Sequence, residues 1–249
     1  MPETPVVLRP DLDPSARSLR LAGDDHHHLF RVLRRRRGDA VELRDGRGLV
    51  ALARVESVDK REARLRIESV SETAPPDLPA LRLALPLLKG RRLDWILEKA
   101  TELGVAGFDL YLGRHGVVRR ETAPARYAEV IAAAYCQCRR LLLPGLTGPA
   151  SLPEQLAAAR EAGRRLWWAD EARAGEPAAG WSGLTAALEE PGAVHQAWIG
   201  PEGGFAAEER EALAAAGAAP LGLGPHRLRS ETAALALAAR ILMAGAGPR

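Results

Sequence analysis

The chain has 249 residues, 47% of them hydrophobic and 27% charged, with a formal net charge of +3. That balance excludes general disorder, and the length predicts two domains able to bury cores without disulfide or metal staples. Cys136 and Cys138 are too few for structural zinc and too close for an unstrained disulfide, so reduced thiols are expected.

The opening residues, Met1 to Pro14, carry neither a basic n-region nor an apolar run, so no signal peptide is read and a cytoplasmic location is expected. Short alternating runs at Val6–Leu8, Ala40–Leu43, Leu49–Ser57 and Ala63–Val70, separated by turns such as Asp45-Gly46 and Asp59-Lys60, predict a small β-rich domain over 1–72. Between the first two runs, His27–Arg36 predicts a short helix ending at Gly38, with Leu29, Phe30, Val32 and Leu33 as its apolar side. The bases are nearly all arginine, with lysine only at Lys60, Lys89 and Lys99. Arginine's planar fork suits phosphates and bases, although a GC-rich genome produces the same bias. The run Arg31, Arg34, Arg35, Arg36 and Arg37, with Arg9 and Arg20 beside it, is a candidate RNA phosphate patch; a solvated helix face is the alternative. His26, His27 and His28 are consecutive, so they point different ways, and no metal site is expected.

Three prolines and few apolar anchors mark 73–79 as a linker. From Ala80 to the end, over 80–249, strand-like runs alternate with helical ones. Strands are predicted at Leu81–Leu85, Phe108–Leu112, Arg165–Ala169 and Ala197–Ile199. Helices are predicted at Arg91–Leu103, Ala123–Cys138, Glu154–Ala162, Ser182–Glu189 and Glu208–Ala216. This alternation predicts an α/β domain with a parallel sheet covered on both faces. The last apolar stretch, Thr232–Gly247, is interrupted by Arg240 and reads as a buried helix, so no membrane span is expected.

Two stretches carry chemistry. In the first, Ile199-Gly200-Pro201-Glu202-Gly203-Gly204, a strand ends in a glycine-dense turn before a helix, where ligands of open α/β sheets bind. The turn lacks the lysine of a P-loop and carries Glu202, which would repel a phosphate; a nucleoside cofactor with a positive sulfonium fits better, and a turn with no ligand is the alternative. In the second, Leu221–Ala233, a Gly/Pro-rich loop delivers Arg229, Glu231 and Thr232 to the start of the last helix, where Ser230 can cap free backbone N–H groups. An ordinary surface pair of Arg229 with Glu231 is the bland alternative.

Together these stretches resemble the ribosomal RNA small subunit methyltransferase E family of the knotted SPOUT class. That family's I-G-P-E-G-G loop is followed by L-G and then L-R-x-E-T-A, matched here by Ile199–Gly204, Leu223-Gly224 and Leu228–Ala233. The likeness continues in Asp25–Asp39 and Lys89–Gly104, so it spans nearly the whole chain. It departs where the family has E-Q-C-G-R: Cys136 stands for the glutamate and Arg139 for the glycine. Ala206 replaces the usual serine or threonine after the glycine loop, and Gly113-Arg114-His115 lacks the expected hydroxyl.

The resemblance implies a PUA-like RNA-binding β-barrel followed by a SPOUT α/β domain with a trefoil knot, assembled as a homodimer. It implies methylation by S-adenosyl-L-methionine of uridine N3 in 16S rRNA (uridine 1498 in the usual numbering) on the 30S ribosomal subunit, with no metal. Residues expected around the cofactor are Ile199, Gly200, Pro201, Glu202, Gly203 and Gly204 of the first loop, and Leu223, Gly224, Leu228, Arg229, Ser230, Thr232 and Ala233 of the second. Leu112, at a strand end, joins them. Uridine N3 carries a proton, so Glu231 is the candidate to accept or relay it and Arg229 the candidate to stabilise charge on the uracil oxygens. Competing readings are a SPOUT enzyme acting on another RNA site or a ribose 2′-hydroxyl, and a non-catalytic RNA-binding assembly factor.

Overall fold

The computed structural model describes residues 4–74, 80–170, 181–188, 190 and 192–244. The chain divides into two compact units, one of Met1–Pro76 with Tyr135–Leu143, the other of Asp77–Ala134 with Pro144–Arg249. Of the expected linker, 75–79 lies outside the described residues, as do Glu189 of one predicted helix and 245–247 of another.

The first unit is a five-stranded sheet of β1 (Val6–Leu8), β2 (Ser18–Ala22), β3 (Ala40–Arg44), β4 (Leu49–Val58) and β5 (Glu62–Glu72), in the order β1-β3-β4-β5-β2. Only β1 and β3 run parallel. Alternation along β3 and β4 puts Val41, Leu43, Ala51, Ala53 and Val55 into one core with Leu21, Leu29 and Leu65. The β4–β5 register slips at Leu52/Ala53 and again at Val55/Ser57, and such irregularities curl a long strand pair.

Two expectations need correction here. Strand β2 was missed, although Leu19 and Leu21 alternate with polar Ser18 and Arg20. The helix begins and ends about four residues earlier than predicted: α1 (Gly23–His27) passes into a π-helical turn at His28–Val32, and Arg34 then takes a left-handed conformation with φ 54°. Leu29 is fully buried, while Val32 is 57% and Leu33 40% exposed, so the apolar side ends before them. A run of four arginines offers nothing to bury, and the helix stops where its anchors do.

Tyr135–Leu143, from the middle of the chain, also belongs to this unit. Arg139 has φ 56°, and its guanidinium donates to the Thr4 carbonyl at 2.7 Å and to Glu42 at 2.8 Å. The position that resembles the family's glycine is therefore the one held in the left-handed region that glycine enters freely.

The second unit is a six-stranded sheet, parallel throughout, of β6 (Ala80–Pro86), β7 (Gly107–Leu112), β8 (Gly145–Ser151), β9 (Arg165–Ala169), β10 (Val194–Trp198) and β11 (Ala219–Leu221), in the order β11-β9-β10-β6-β7-β8. Its helices are α2 (Arg92–Leu103), α3 (Ala125–Cys138, whose last turn lies in the first unit), α4 (Leu152–Glu161), α5 (Trp181–Leu188), α6 (Ala207–Ala215) and α7 (Ser230–Ala244). Ala84, Tyr111, Trp168 and Trp198 pack with Leu152 and Leu156 of α4 and Leu213 of α6, while α2 packs on α7 and α7 on β6. Strands β8 and β11 were not predicted: Gly145–Ser151 is built of small residues, Gly and Pro, and Ala219–Leu221 is only three residues long, so neither shows a period.

Toward the amino ends of the strands lies a buried polar knot. Asp109, 1% exposed, accepts from Arg82 at 2.9 and 2.6 Å, Thr147 at 2.7 Å, Arg164 at 3.0 Å and Gln196 at 2.7 Å. Burial pushes its carboxyl pKa up, but the bonds from Arg82 and Thr147 outweigh that and hold it below the ordinary carboxylate value. Among the described residues no helix is long and apolar enough to cross a membrane.

Candidate active site

Three neighbouring strands, β11, β9 and β10, release their carboxyl ends around one cavity of about 340 Å³. Ala169 ends β9 and Asp170 follows it, Ile199, Gly200, Pro201, Glu202, Gly204 and Phe205 follow β10, and Leu223, Gly224, His226, Arg227, Leu228 and Arg229 follow β11. This is where a parallel sheet binds ligands, because the loops there diverge from a rigid base. Ser230 and Ala233 of α7, Arg92 of α2 and Arg210 of α6 complete the wall.

The glycine loop is held from several sides. Tyr111, fully buried, donates its hydroxyl to the Ile199 carbonyl at 2.7 Å, and burial raises its pKa well above the ordinary value. The Pro201 carbonyl accepts the Gly204 N–H at 2.9 Å, and Gly204 has φ 72°, which a side chain would strain. A Cβ at Gly203 would stand 2.8 Å from that of His115, whose Nδ1 lies 3.2 Å from the Gly204 carbonyl. Glu202 is paired with Arg92 at 2.9 Å, so its charge is balanced within the protein.

Ala206 opens α6 without a side-chain cap, as the missing hydroxyl implies; instead the buried carboxylate of Glu209 accepts the N–H groups of Ala206 at 2.8 Å and Arg114 at 2.7 Å. Ser230 departs from its expected role. Its hydroxyl does not cap α7 but donates to the Gly200 carbonyl at 2.7 Å, which joins the two motif loops. The helix closes its own first turn through Ala233 N–H to the Arg229 carbonyl at 2.8 Å.

Eleven of the fourteen residues expected around the cofactor therefore line the cavity. Leu112, Gly203 and Thr232 stand off the cavity wall. Arg229 is exposed on the rim, whereas Glu231 lies outside the lining and one of its carboxylate oxygens is buried without a hydrogen-bond partner. Arg92, Ala169, Asp170, Phe205, Arg210, His226 and Arg227 were not anticipated. Of these, Asp170 is an acid directly after a predicted strand, and His226 and Arg227 lie inside the second motif stretch, so each had a usable signal.

In the first unit, Arg31, Arg34, Arg36 and Arg37 are exposed and Arg35 is half-buried. Arg9 is bound to Asp11 at 3.0 and 2.8 Å and Arg20 to Glu62, so these two are neutralised in place. His26 is buried with Nε2 3.1 Å from the Asp59 carbonyl, and His27 and His28 are exposed. Among the described residues no group of three or more His, Cys, Asp or Glu side chains is gathered as for a metal ion, and both cysteines are free thiols.

Comparison with known proteins places these features in context. The model of an RNA methyltransferase domain matches residues 76–242, and that of an RNA methyltransferase PUA domain matches 21–68. The chain is 31% identical over 228 residues to the ribosomal RNA small subunit methyltransferase E of Mycobacterium bovis, covering 85% of this chain and 81% of the relative. It is 29% identical over 222 residues to that of Bacillus subtilis, covering 86% of each. A ribosomal RNA small subunit methyltransferase E from Neisseria gonorrhoeae, solved bound to S-adenosylmethionine, superposes with a TM-score of 0.84 at 25% identity, over 97% of this chain and 98% of that one. A methyltransferase of Legionella pneumophila, solved with the same cofactor, gives 0.85 at 28% identity over 98% of each chain. With one family model matching most of its length and relatives of this identity over most of theirs, the chain belongs to the ribosomal RNA small subunit methyltransferase E family.

Proposed function

We propose that the protein transfers the methyl group of S-adenosylmethionine to N3 of a uridine in 16S rRNA, uridine 1498 in the usual numbering, within the 30S subunit. The observation that carries this reading is the cavity at the ends of β11, β9 and β10, walled by both motif loops and joined by the Ser230–Gly200 bond. Its size falls in the range of small-molecule sites. Its walls are mixed in a way that suits a nucleoside joined to an amino acid: Ile199, Leu223, Leu228 and Phe205 are apolar, while the glycine-rich turns leave backbone groups close at hand. The cofactor supplies an electrophilic methyl group on a positive sulfonium.

The chain's own part is to hold, orient and manage one proton. Arg229, on the rim, is suited to stabilise negative charge on the uracil oxygens as the N3 proton leaves. Glu231, two residues on, is the candidate to accept or relay that proton. The exposed arginines Arg31, Arg34, Arg36 and Arg37 supply the phosphate contacts. The family resemblance extends the reading to a PUA-like first domain over 1–72, a linker at 73–79, a trefoil-knotted SPOUT domain over 80–249, a cytoplasmic location and a homodimer. Exposed Trp95 on α2 and Met243 on α7, two helices that pack together, are apolar surface available for self-association.

The test is to incubate the purified protein and labelled S-adenosylmethionine with 30S subunits lacking the modification, then identify the methylated nucleoside by mass spectrometry. The expected product is 3-methyluridine at a single site. A 2′-O-methylated or other nucleoside would overturn the N3 assignment, and cofactor binding without methylation of any RNA would favour an assembly factor.

A further inference from the structure

The loop that forms one wall of the cavity, Leu223 to Arg229, is fastened by a residue outside both motifs. Trp181 heads α5 and is 7% exposed. Its indole Nε1 donates to the Gly222 carbonyl at 2.7 Å, directly before Leu223 and Gly224, which line the cavity. The guanidinium of Arg240, on α7, lies 3.6 Å from the centre of the same ring. The ring thus touches what precedes the loop through a hydrogen bond and the helix that follows it through a cation–π contact. The preceding carbonyl, Leu221, accepts the N–H of Asp170 at 3.1 Å, so the loop leaves β11 with two consecutive carbonyls tied.

We propose that Trp181 is a positioning residue for the cofactor: its indole N–H and ring face fix the Leu223–Gly224 wall against α7. The inference rests on the cavity being the S-adenosylmethionine site. The physical ground is that a buried carbonyl stripped of its donor is costly, and the backbone shifts to find another. Phenylalanine would fill most of the same space and keep a face for Arg240, yet could not donate. The loop, and the binding surface it carries, would then lose one fixed end while the motif residues stayed unchanged.

The experiment titrates S-adenosylmethionine into the full-length wild type and Trp181→Phe by calorimetry, alongside kcat on 30S subunits at saturating cofactor. The expected result is a Kd raised about fivefold to tenfold, with kcat kept within about twofold. A second measurement uses the wild type alone: the Trp181 indole N–H resonance should shift and exchange more slowly with solvent when cofactor is added. A folded Trp181→Phe protein whose Kd stays within about twofold of wild type overturns the proposal. Should that variant fail to fold, an indole resonance indifferent to cofactor overturns it instead. Absence of S-adenosylmethionine binding by the wild type would be a failure of the cofactor reading itself, seen before any variant is compared.

Discussion

Replacing Asp109 by alanine removes the acceptor at the centre of the second unit's buried polar knot and leaves its donors in place. Arg82 and Arg164 are only 15% and 16% exposed in their side chains, and Asp109 is 1% exposed, so neither cation can recover full hydration. Breaking such a pair by removing one partner costs about 3–5 kcal/mol, because an uncompensated charge stays behind. For a domain of this size, each kcal/mol moves the melting midpoint by about 2–4 °C, so a fall of roughly 10 °C is expected. Asp109→Asn keeps one acceptor oxygen and should fall about half as far.

The acid limb supplies a second check. The carboxyl pKa is lower in the folded state than its unfolded value of about 3.9, so its stabilisation is complete above that value and lost as pH falls through the depressed folded one. The asparagine variant lacks this titration and should show a shallower loss of stability below about pH 4. Calorimetric melting of the full chain, with separate transitions allowed for the two units, reads both quantities. An alanine variant melting within about 2 °C of wild type near neutral pH would refute the argument.

Ser230→Ala removes the hydroxyl that joins α7 to Gly200 and should weaken S-adenosylmethionine binding about fivefold by calorimetry; an unchanged Kd would show that the tie does not shape the cavity. Arg139→Gly relieves a left-handed conformation worth about 1 kcal/mol while losing the pair with Glu42, whereas Arg139→Ala loses the pair and keeps the strain. Urea unfolding should therefore rank alanine about 1 kcal/mol below glycine, and equal stabilities would count against the strain. Neutralising Arg36 and Arg37 together should reduce the slope of log affinity for RNA against log salt by roughly 1.5, without changing which nucleoside is methylated; an unaltered slope would remove the patch from the interface. Arg229→Ala and Glu231→Gln should each abolish most turnover in the methylation assay with cofactor affinity retained, and near-normal rates would dismiss the assigned roles.

Most of what the sequence determined was periodic or punctuated. The alternation of Val41, Leu43, Ala51, Ala53 and Val55, and the change to alternating strands and helices after the prolines, are consequences of local geometry. The glycine turn at Gly200–Gly204 and the loop before α7 were legible for the same reason, since their residues are needed for backbone shape wherever the rest of the chain lies. Short elements without a period were not legible: β8 is paired through its backbone while offering little side-chain pattern, and the helix near His27 was misplaced because exposed Val32 and Leu33 look apolar in isolation.

Only the tertiary structure decided which strand ends lie side by side. Bringing β11 next to β9 and β9 next to β10 sets Asp170, Arg210 and Arg92 around the two motifs, and it turns Ser230 from a helix cap into a bond to Gly200. It likewise gave Glu202 a cation 110 residues away and left one oxygen of Glu231 buried without a donor. The physical reason is one of range: backbone preferences act over a few neighbours and can be read from them, whereas charge pairing and cavity walls depend on contacts between segments whose separation along the chain carries no signal.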